Sequence, residues 1–212
     1  MNQTLQRAAR AAVAALALSA TGVMAQERSA VEEIERYRQA LGDGNPAELW
    51  EARGEATWKK AAGPRNASLE KCDLGLGPGV VKGAYAQLPR YFADVDKVMD
   101  LETRLVHCRV TLQGISPEEA KKSPFGGPGR KTDNDALVAF ITAEWRGITM
   151  NVPQSHPKEV EAFEVGRKIF FHRGGPYDFA CATCHGVDNI RIRLQDLPNL
   201  TKKADAQRAY TS

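Results

Sequence analysis

Cys181-Ala182-Thr183-Cys184-His185 constrains the rest of the chain more than any other stretch. Two cysteines separated by two residues and followed at once by histidine form the attachment pattern of a c-type haem. On a short helical turn both thiols reach the vinyl groups of one porphyrin. The adjacent histidine supplies an axial nitrogen to iron. A zinc site would need further ligands at comparable spacing, and no second C-x-x-C is present. A thioredoxin-like dithiol would need a βαβ context and no histidine.

The N-terminus provides the compartment that such chemistry needs. Arg7 and Arg10 form a positive region, Ala11 to Ala20 is a short apolar run, and Val23-Met24-Ala25 offers a cleavage site before Gln26. Residues 1–25 therefore read as a signal peptide, and the mature protein is expected in the periplasm, where disulfides persist. Without the leader, 187 residues remain; 27 basic minus 26 acidic residues leaves a charge of +1. That balance argues against nucleic acid or an anionic membrane as partner. No later segment has the apolar length of a membrane span.

The remaining sequence reads as helix and loop. Ser29 with Glu32 suggests a capping box ahead of Val31, Ile34, Tyr37 and Leu41. Asn45-Pro46 opens a second helix, with Leu49, Trp50, Gly54 and Trp58 placed on one face. The run Gly75-Leu76-Gly77-Pro78-Gly79 cannot be regular structure, and it lacks the Lys-Ser/Thr ending of a phosphate loop. Asp100 starts a helix with Leu101, Leu105, Cys108 and Leu112 inward. Ser116 to Arg130 reads as loop. Thr132 or Asp133 caps a helix with Leu137, Phe140, Ile141, Trp145 and Ile148 inward. Asn151-Val152-Pro153 and His156-Pro157 read as a linker, followed by a helix from about Lys158 to Phe171. No strand pattern stands out.

A weak repeat suggests two similar halves. Gly54-x-x-x-Trp58 precedes Cys72, and Gly166-x-x-x-Phe170 precedes Cys181. Glycine and an aromatic one turn apart permit a close helix crossing, as where the first and last helices of small c-type cytochromes meet. The expected fold is mainly α, with two cytochrome c-like lobes. The first (26–153) lacks haem and uses the helix near 136–148 as its closing helix. The second (154–212) binds haem and is incomplete at its C-terminus.

Outside the motif, Cys72 and Cys108 are even in number and most simply form a disulfide; a reactive thiol acting as a sulfur carrier is the alternative. Met99, Met150, His107, His156 and His172 are the candidates by residue type for a sixth iron ligand. Arg191, Arg193, Lys202 and Lys203 read either as a solvated surface or as a steering patch for anions.

Several segments together resemble the SoxA family, the larger c-type cytochrome subunit of the SoxAX complex of sulfur-oxidising bacteria. They are Leu69 to Gly79, Gly83-Ala84-Tyr85, Leu88-Pro89-Arg90-Tyr91-Phe92, Asp100 to Leu105 up to Cys108, Phe179 to Gly186, and Leu197-Pro198-Asn199-Leu200. The resemblance implies an L-cysteine S-thiosulfotransferase that joins thiosulfate oxidatively to a cysteine of the carrier SoxYZ and passes electrons to an acceptor cytochrome. It implies one covalently attached haem c on Cys181, Cys184 and His185, with His185 as metal ligand. It also implies a Cys72–Cys108 disulfide and a small SoxX-like cytochrome as partner. It places the catalytic cysteine, which is also the distal iron ligand, beyond Ser212. No catalytic residue is therefore assigned within the sequence, and the 212-residue chain is expected to be inactive alone. The competing expectations are a periplasmic c-type cytochrome that only carries electrons, and a docking subunit whose haem is structural.

Overall fold

A computed structural model of the chain describes residues 32, 33, 36, 37, 39, 40, 45–121, 132–192 and 195–206. The leader 1–25 and the Ser29 cap lie outside the described residues. The chain divides into two units, 1–37 and 38–212. In the first, residues 32, 33, 36 and 37 are helical.

The second unit begins with α1 (Ala47–Lys59). Asn45 starts it, its Oδ1 accepting from Ala47 N at 2.9 Å. Trp50, Gly54 and Trp58, four residues apart, follow one side, and Gly54 and Trp58 are buried. Leu49 does not join them and is 77% exposed, because the next residue on a helix points about 100° away. A loop stapled by its own glycines follows. The Oδ1 of Asp73 accepts from Gly75 N at 2.6 Å and Gly77 N at 3.0 Å. Both glycines hold positive φ, which an L side chain resists.

After a 3₁₀ turn at Tyr85–Gln87 come β1 (Arg90–Phe92) and β2 (Lys97–Met99), an antiparallel hairpin pairing Arg90 with Met99. α2 (Leu101–Thr111) is capped by Asp100, whose carboxylate accepts from Thr103 N at 2.8 Å. A short α3 (Pro117–Lys121) occupies part of the stretch expected to be loop. Pro117 sits at its first position, and Ser116 Oγ accepts from Glu119 N at 3.1 Å. α4 (Asp133–Ala143) is held by a reciprocal Thr132–Asp135 capping box. It ends before Trp145 and Ile148, which lie outside it in the following turns.

α1 and α4 cross closely. A Cβ on Gly54 would stand 1.9 Å from the Ala136 carbonyl oxygen and 2.6 Å from Phe140 Cβ. The core around this crossing contains Trp58, Leu69, Leu74, Leu101, Leu105, Leu137 and Ile141. Each leucine buried there contributes about 2 kcal/mol. The Cys72–Cys108 disulfide lies in the same core, with a Cα–Cα distance of 5.6 Å and both residues buried. Arg104 closes the polar edge. It is 5% exposed, donates from Nε to the Asp73 carbonyl at 2.7 Å, grips both oxygens of Asp94, and stacks 4.0 Å above Phe92.

The remaining elements are α5 (Pro157–Phe171), α6 (Cys181–His185), the small hairpin of β3 (Arg191–Ile192) with β4 (Gln195–Asp196), and α7 (Lys203–Ala206). The two hairpins correct the expectation of a chain without strands. Their strands are two or three residues long, too short for alternation to register in sequence.

Candidate haem-attachment site

α5 leads the chain to the site and is anchored at its start. His156 caps it, Nδ1 accepting from Lys158 N at 3.2 Å, and Pro157 supplies the fixed φ of a first turn. Glu159 is buried and accepts three backbone N–H groups. Tyr91 donates at 2.8 Å to one oxygen; Ser155 and His156 donate at 3.0 Å to the other. Burial alone would raise this carboxyl's pKa. The N–H groups of Tyr91, His156 and Ser155, with the charge of Arg90, outweigh it and hold the pKa below the ordinary value. The His156 ring stacks on Tyr91 at 3.6 Å, and Lys158 reaches Asp96. Together these contacts bind α5 to the first hairpin.

The outer side of α5 is apolar and open. Val160, Phe163, Val165, Ile169 and Phe171 are all exposed. A groove of about 670 Å³ runs along the helix, walled in part by Val98, Phe163, Phe170, Phe171 and Leu200. Gly166 faces open space, and a Cβ added there would meet nothing within 4 Å. This contrasts with Gly54, its counterpart in the sequence repeat.

The motif itself forms α6. Gly174 and Phe179 pair across a tight turn with Gly175 and Asp178 at positive φ, delivering the chain to Ala180. Thr183 Oγ1 accepts from Ala180 N at 3.0 Å and starts the turn. Cys181 and Cys184, three apart, are unbonded thiols on one side of it. Gly186 N donates to the Ala182 carbonyl at 2.9 Å and ends it.

His185 Nδ1 lies 3.3 Å from the carbonyl oxygen of Pro198. A carbonyl only accepts, so this contact requires the proton on Nδ1 and, in the neutral ring, leaves the lone pair on Nε2. A metal-ligating histidine is oriented in this way. Among the described residues, no three His, Cys, Asp or Glu groups converge to hold an ion directly. The two thiols and one pre-set imidazole nitrogen instead match a donor set divided between a porphyrin edge and its iron. The exposed apolar side chains nearby, including Phe179, Val187 and Ile192, suit an apolar macrocycle. The residues therefore fit a c-type haem.

The loop bearing Pro198 is tied down by side chains whose pairing the sequence does not announce, although Leu197 to Leu200 and Lys202 stand out there on other grounds. Asn199 is buried and donates to Asp188 at 2.8 Å; Lys202 reaches the other Asp188 oxygen at 2.6 Å. Lys202, followed by Asn199, lowers the Asp188 pKa. The Pro198 contact is a backbone interaction and leaves no side-chain signal. The spacing of Asp188, Asn199 and Lys202 is no recognisable motif.

The residues named as sixth-ligand candidates have other surroundings. Met99 belongs to the core, His107 lies 3.5 Å from Asp94, and His156 is the stacked cap. Met150 is half-buried and His172 exposed. Of the basic patch, Arg191 pairs with Asp196 at 2.9 Å and Lys202 with Asp188, while Lys203 is exposed. Arg193 lies outside the described residues. No helix among the described residues is long and apolar enough to cross a membrane.

Comparison with known proteins fits this geometry. Residues 53–150 match a family model described as the SoxA/TsdA cytochrome c domain. The stretch covers the α1–α4 crossing and the disulfide, and ends before the C-x-x-C-H motif. The chain is 51% identical over 186 residues to the L-cysteine S-thiosulfotransferase subunit SoxA of Hydrogenophilus thermoluteolus, covering 88% of this chain and 68% of that one. It is 30% identical over 178 residues to the subunit of the same name from Hydrogenobacter thermophilus, covering 82% and 64%. The crystal structure of SoxXA from P. pantotrophus superposes with a TM-score of 0.56 at 27% identity, covering 73% of this chain and 55% of that chain. The chain thus spans about two thirds of the length of these curated relatives. With its helical cytochrome c fold and its likeness to these subunits over most of its length, the chain belongs to the SoxA family.

Proposed function

We propose that the protein is the SoxA-type subunit of a periplasmic L-cysteine S-thiosulfotransferase and carries one covalently attached haem c. Cys181 and Cys184 would hold the porphyrin edge through thioether bonds, and His185 Nε2 would ligate its iron. The single observation that carries this reading is the His185–Pro198 contact within a one-turn C-x-x-C-H helix, because it presents the correct nitrogen. Two cytochrome c-like lobes account for the rest. Residues 26–153 form one without haem, built on the α1–α4 crossing and the Cys72–Cys108 bond. Residues 154–212 form the haem-bearing part.

In the proposed reaction, thiosulfate and a carrier cysteine thiol join through a new sulfur–sulfur bond. One proton and two electrons leave, giving an S-thiosulfonate on the carrier. A haem held here would pass these two electrons, one at a time, to the acceptor cytochrome. The chain's own residues set its place: Glu159 and the Tyr91–His156 stack fix α5, and the Pro198 carbonyl fixes the proton on His185 Nδ1. The proposed partners are a SoxX-like small cytochrome, a SoxYZ-like carrier and an acceptor cytochrome. The likeness to a solved SoxXA structure supports the first, and the 51% identity to a subunit named L-cysteine S-thiosulfotransferase supports a cysteine-bearing carrier.

The test begins with protein secreted from its own gene. Covalent haem on a peptide containing Cys181 and Cys184 is expected by mass spectrometry after proteolysis. Thiosulfate-dependent reduction of that haem is expected when the SoxX-like and carrier proteins are both present. Reduction without the carrier would replace this reading with a simple electron carrier.

A further inference from the structure

We propose that Asn199, pinned to Asp188, is the positioning residue that sets the His185–Pro198 hydrogen bond and so tunes the potential of the haem iron. The proposal rests on the reading of His185 as the axial ligand. Among the described residues from 157 to 206, Glu159 and Asn199 alone are buried. In a segment whose apolar side chains face outward, both buried side chains are polar and fully engaged. Glu159 fixes α5; Asn199 has no contact with that helix's anchor and needs a role of its own.

Its bonding defines that role. Asn199 Oδ1 accepts from Thr201 N at 3.1 Å and from Thr201 Oγ1 at 2.6 Å. A backbone N–H only donates, so the amide orientation is fixed and Nδ2 faces the Asp188 carboxylate at 2.8 Å. The Asn199 backbone N donates to Asp205 at 3.2 Å. The two residues flanking Asn199 both address His185. The Pro198 carbonyl faces the ring nitrogen at 3.3 Å, and Leu200 N donates to the His185 carbonyl at 2.8 Å. Pro198 has no N–H with which to anchor itself. Its carbonyl is placed by its neighbours: Leu197 N donates to the Ile190 carbonyl at 2.8 Å on one side, and Asn199 is held through both its side chain and its N–H on the other.

The ring contact lies at the long end of hydrogen-bond distances, so a small drift of the loop changes its strength steeply. Donation from Nδ1 makes the imidazole more basic and favours ferric iron. Loosening the pin weakens donation and favours ferrous iron. The direction is therefore fixed: loss of the Asn199–Asp188 bond raises the potential.

The experiment is a potentiometric titration of the haem-loaded protein, comparing wild type with Asn199→Leu, Asp188→Ala and Asp188→Asn. Asn199→Leu keeps the volume and loses the bonds. Asp188→Ala breaks the same bond from the half-exposed side and removes the Lys202 contact with it. Asp188→Asn removes the charge but keeps a carbonyl oxygen for Asn199. The first two are expected to shift the ferrous-to-ferric ratio at fixed ambient potential by about tenfold, which is about 59 mV for one electron. Asp188→Asn is expected to stay within about twofold of wild type. An Asp188→Ala protein within twofold of wild type overturns the proposal. So does an Asp188→Asn shift equal to that of Asp188→Ala, because charge rather than the pin would then be responsible. A wild-type protein without covalent haem defeats the underlying reading instead, and this proposal falls with it.

Discussion

Replacing Gly54 with alanine tests the close crossing of α1 and α4. The new methyl would lie 1.9 Å from the Ala136 carbonyl oxygen, against an ordinary contact of 3.4 Å, so the helices must separate by about 1.5 Å. The obstacle is backbone, which cannot swing aside like a side chain. Separation would also loosen Trp58, Leu137 and Ile141, which pack in the same core. Overpacking of this kind costs about 3 kcal/mol, at the upper end of its usual range. Removing a helical glycine returns up to about 1 kcal/mol. The net loss is about 2 kcal/mol, or about 4–8 °C in Tm for a unit of this size. Gly166→Ala is the matched control. It lies on α5 with nothing within 4 Å, so in the 212-residue chain it should gain up to about 1 kcal/mol. Thermal melts of the haem-loaded protein by far-UV circular dichroism would measure both. Equal effects of the two substitutions, or stabilisation by Gly54→Ala, would refute the assignment of Gly54 as a packing glycine.

Other perturbations should act as follows. Replacing Cys72 and Cys108 by alanine opens a loop with a sequence separation of 36 and should lower stability by about 4 kcal/mol, read by urea denaturation. Glu159 has a folded pKa below its ordinary value of 4.5. Its contribution is thus fully present above that value and lost as pH falls through the lower folded pKa. Glu159→Gln should flatten the acid limb of the stability–pH curve, and an unchanged limb would contradict the assignment. Arg104→Lys cannot reach the Asp94 carboxylate and the Asp73 carbonyl at once, as Nη1 and Nε of the guanidinium do, and should cost about 2 kcal/mol by the same denaturation assay. Leu49→Lys should change stability by less than about 0.5 kcal/mol, since Leu49 is 77% exposed.

What was legible in the sequence is what local chemistry decides. Asp100 and Thr132 announce their helices because a cap is written within three residues. Gly54 with Trp58 marks a real crossing, but Gly166 with Phe170 has the same spacing and meets nothing, so the pattern alone does not decide. The C-x-x-C-H run is equally local. Glu159 was illegible, since its meaning depends on Tyr91, far away in the chain. Leu49 was misplaced because an apolar residue next to a tryptophan looks like part of its face. Pro198 contributes a main-chain oxygen that any residue possesses. Of Asp188, Asn199 and Lys202, only the fold reveals that they belong together.

The disulfide has a topological consequence. Ala86, which receives Asn151 N at 2.7 Å, Tyr91, which meets Glu159 and His156, and Asp96, which meets Lys158, all lie between Cys72 and Cys108. The platform on which α5 rests is thus enclosed in a covalent ring. A single protease cut anywhere inside that ring leaves both fragments joined through sulfur, still presenting their contacts to α5. The same nick followed by a reductant would release them. Once the chain is nicked there, the hold on α5 therefore depends on the redox state of two cysteines that lie in a different part of the chain from the C-x-x-C-H motif.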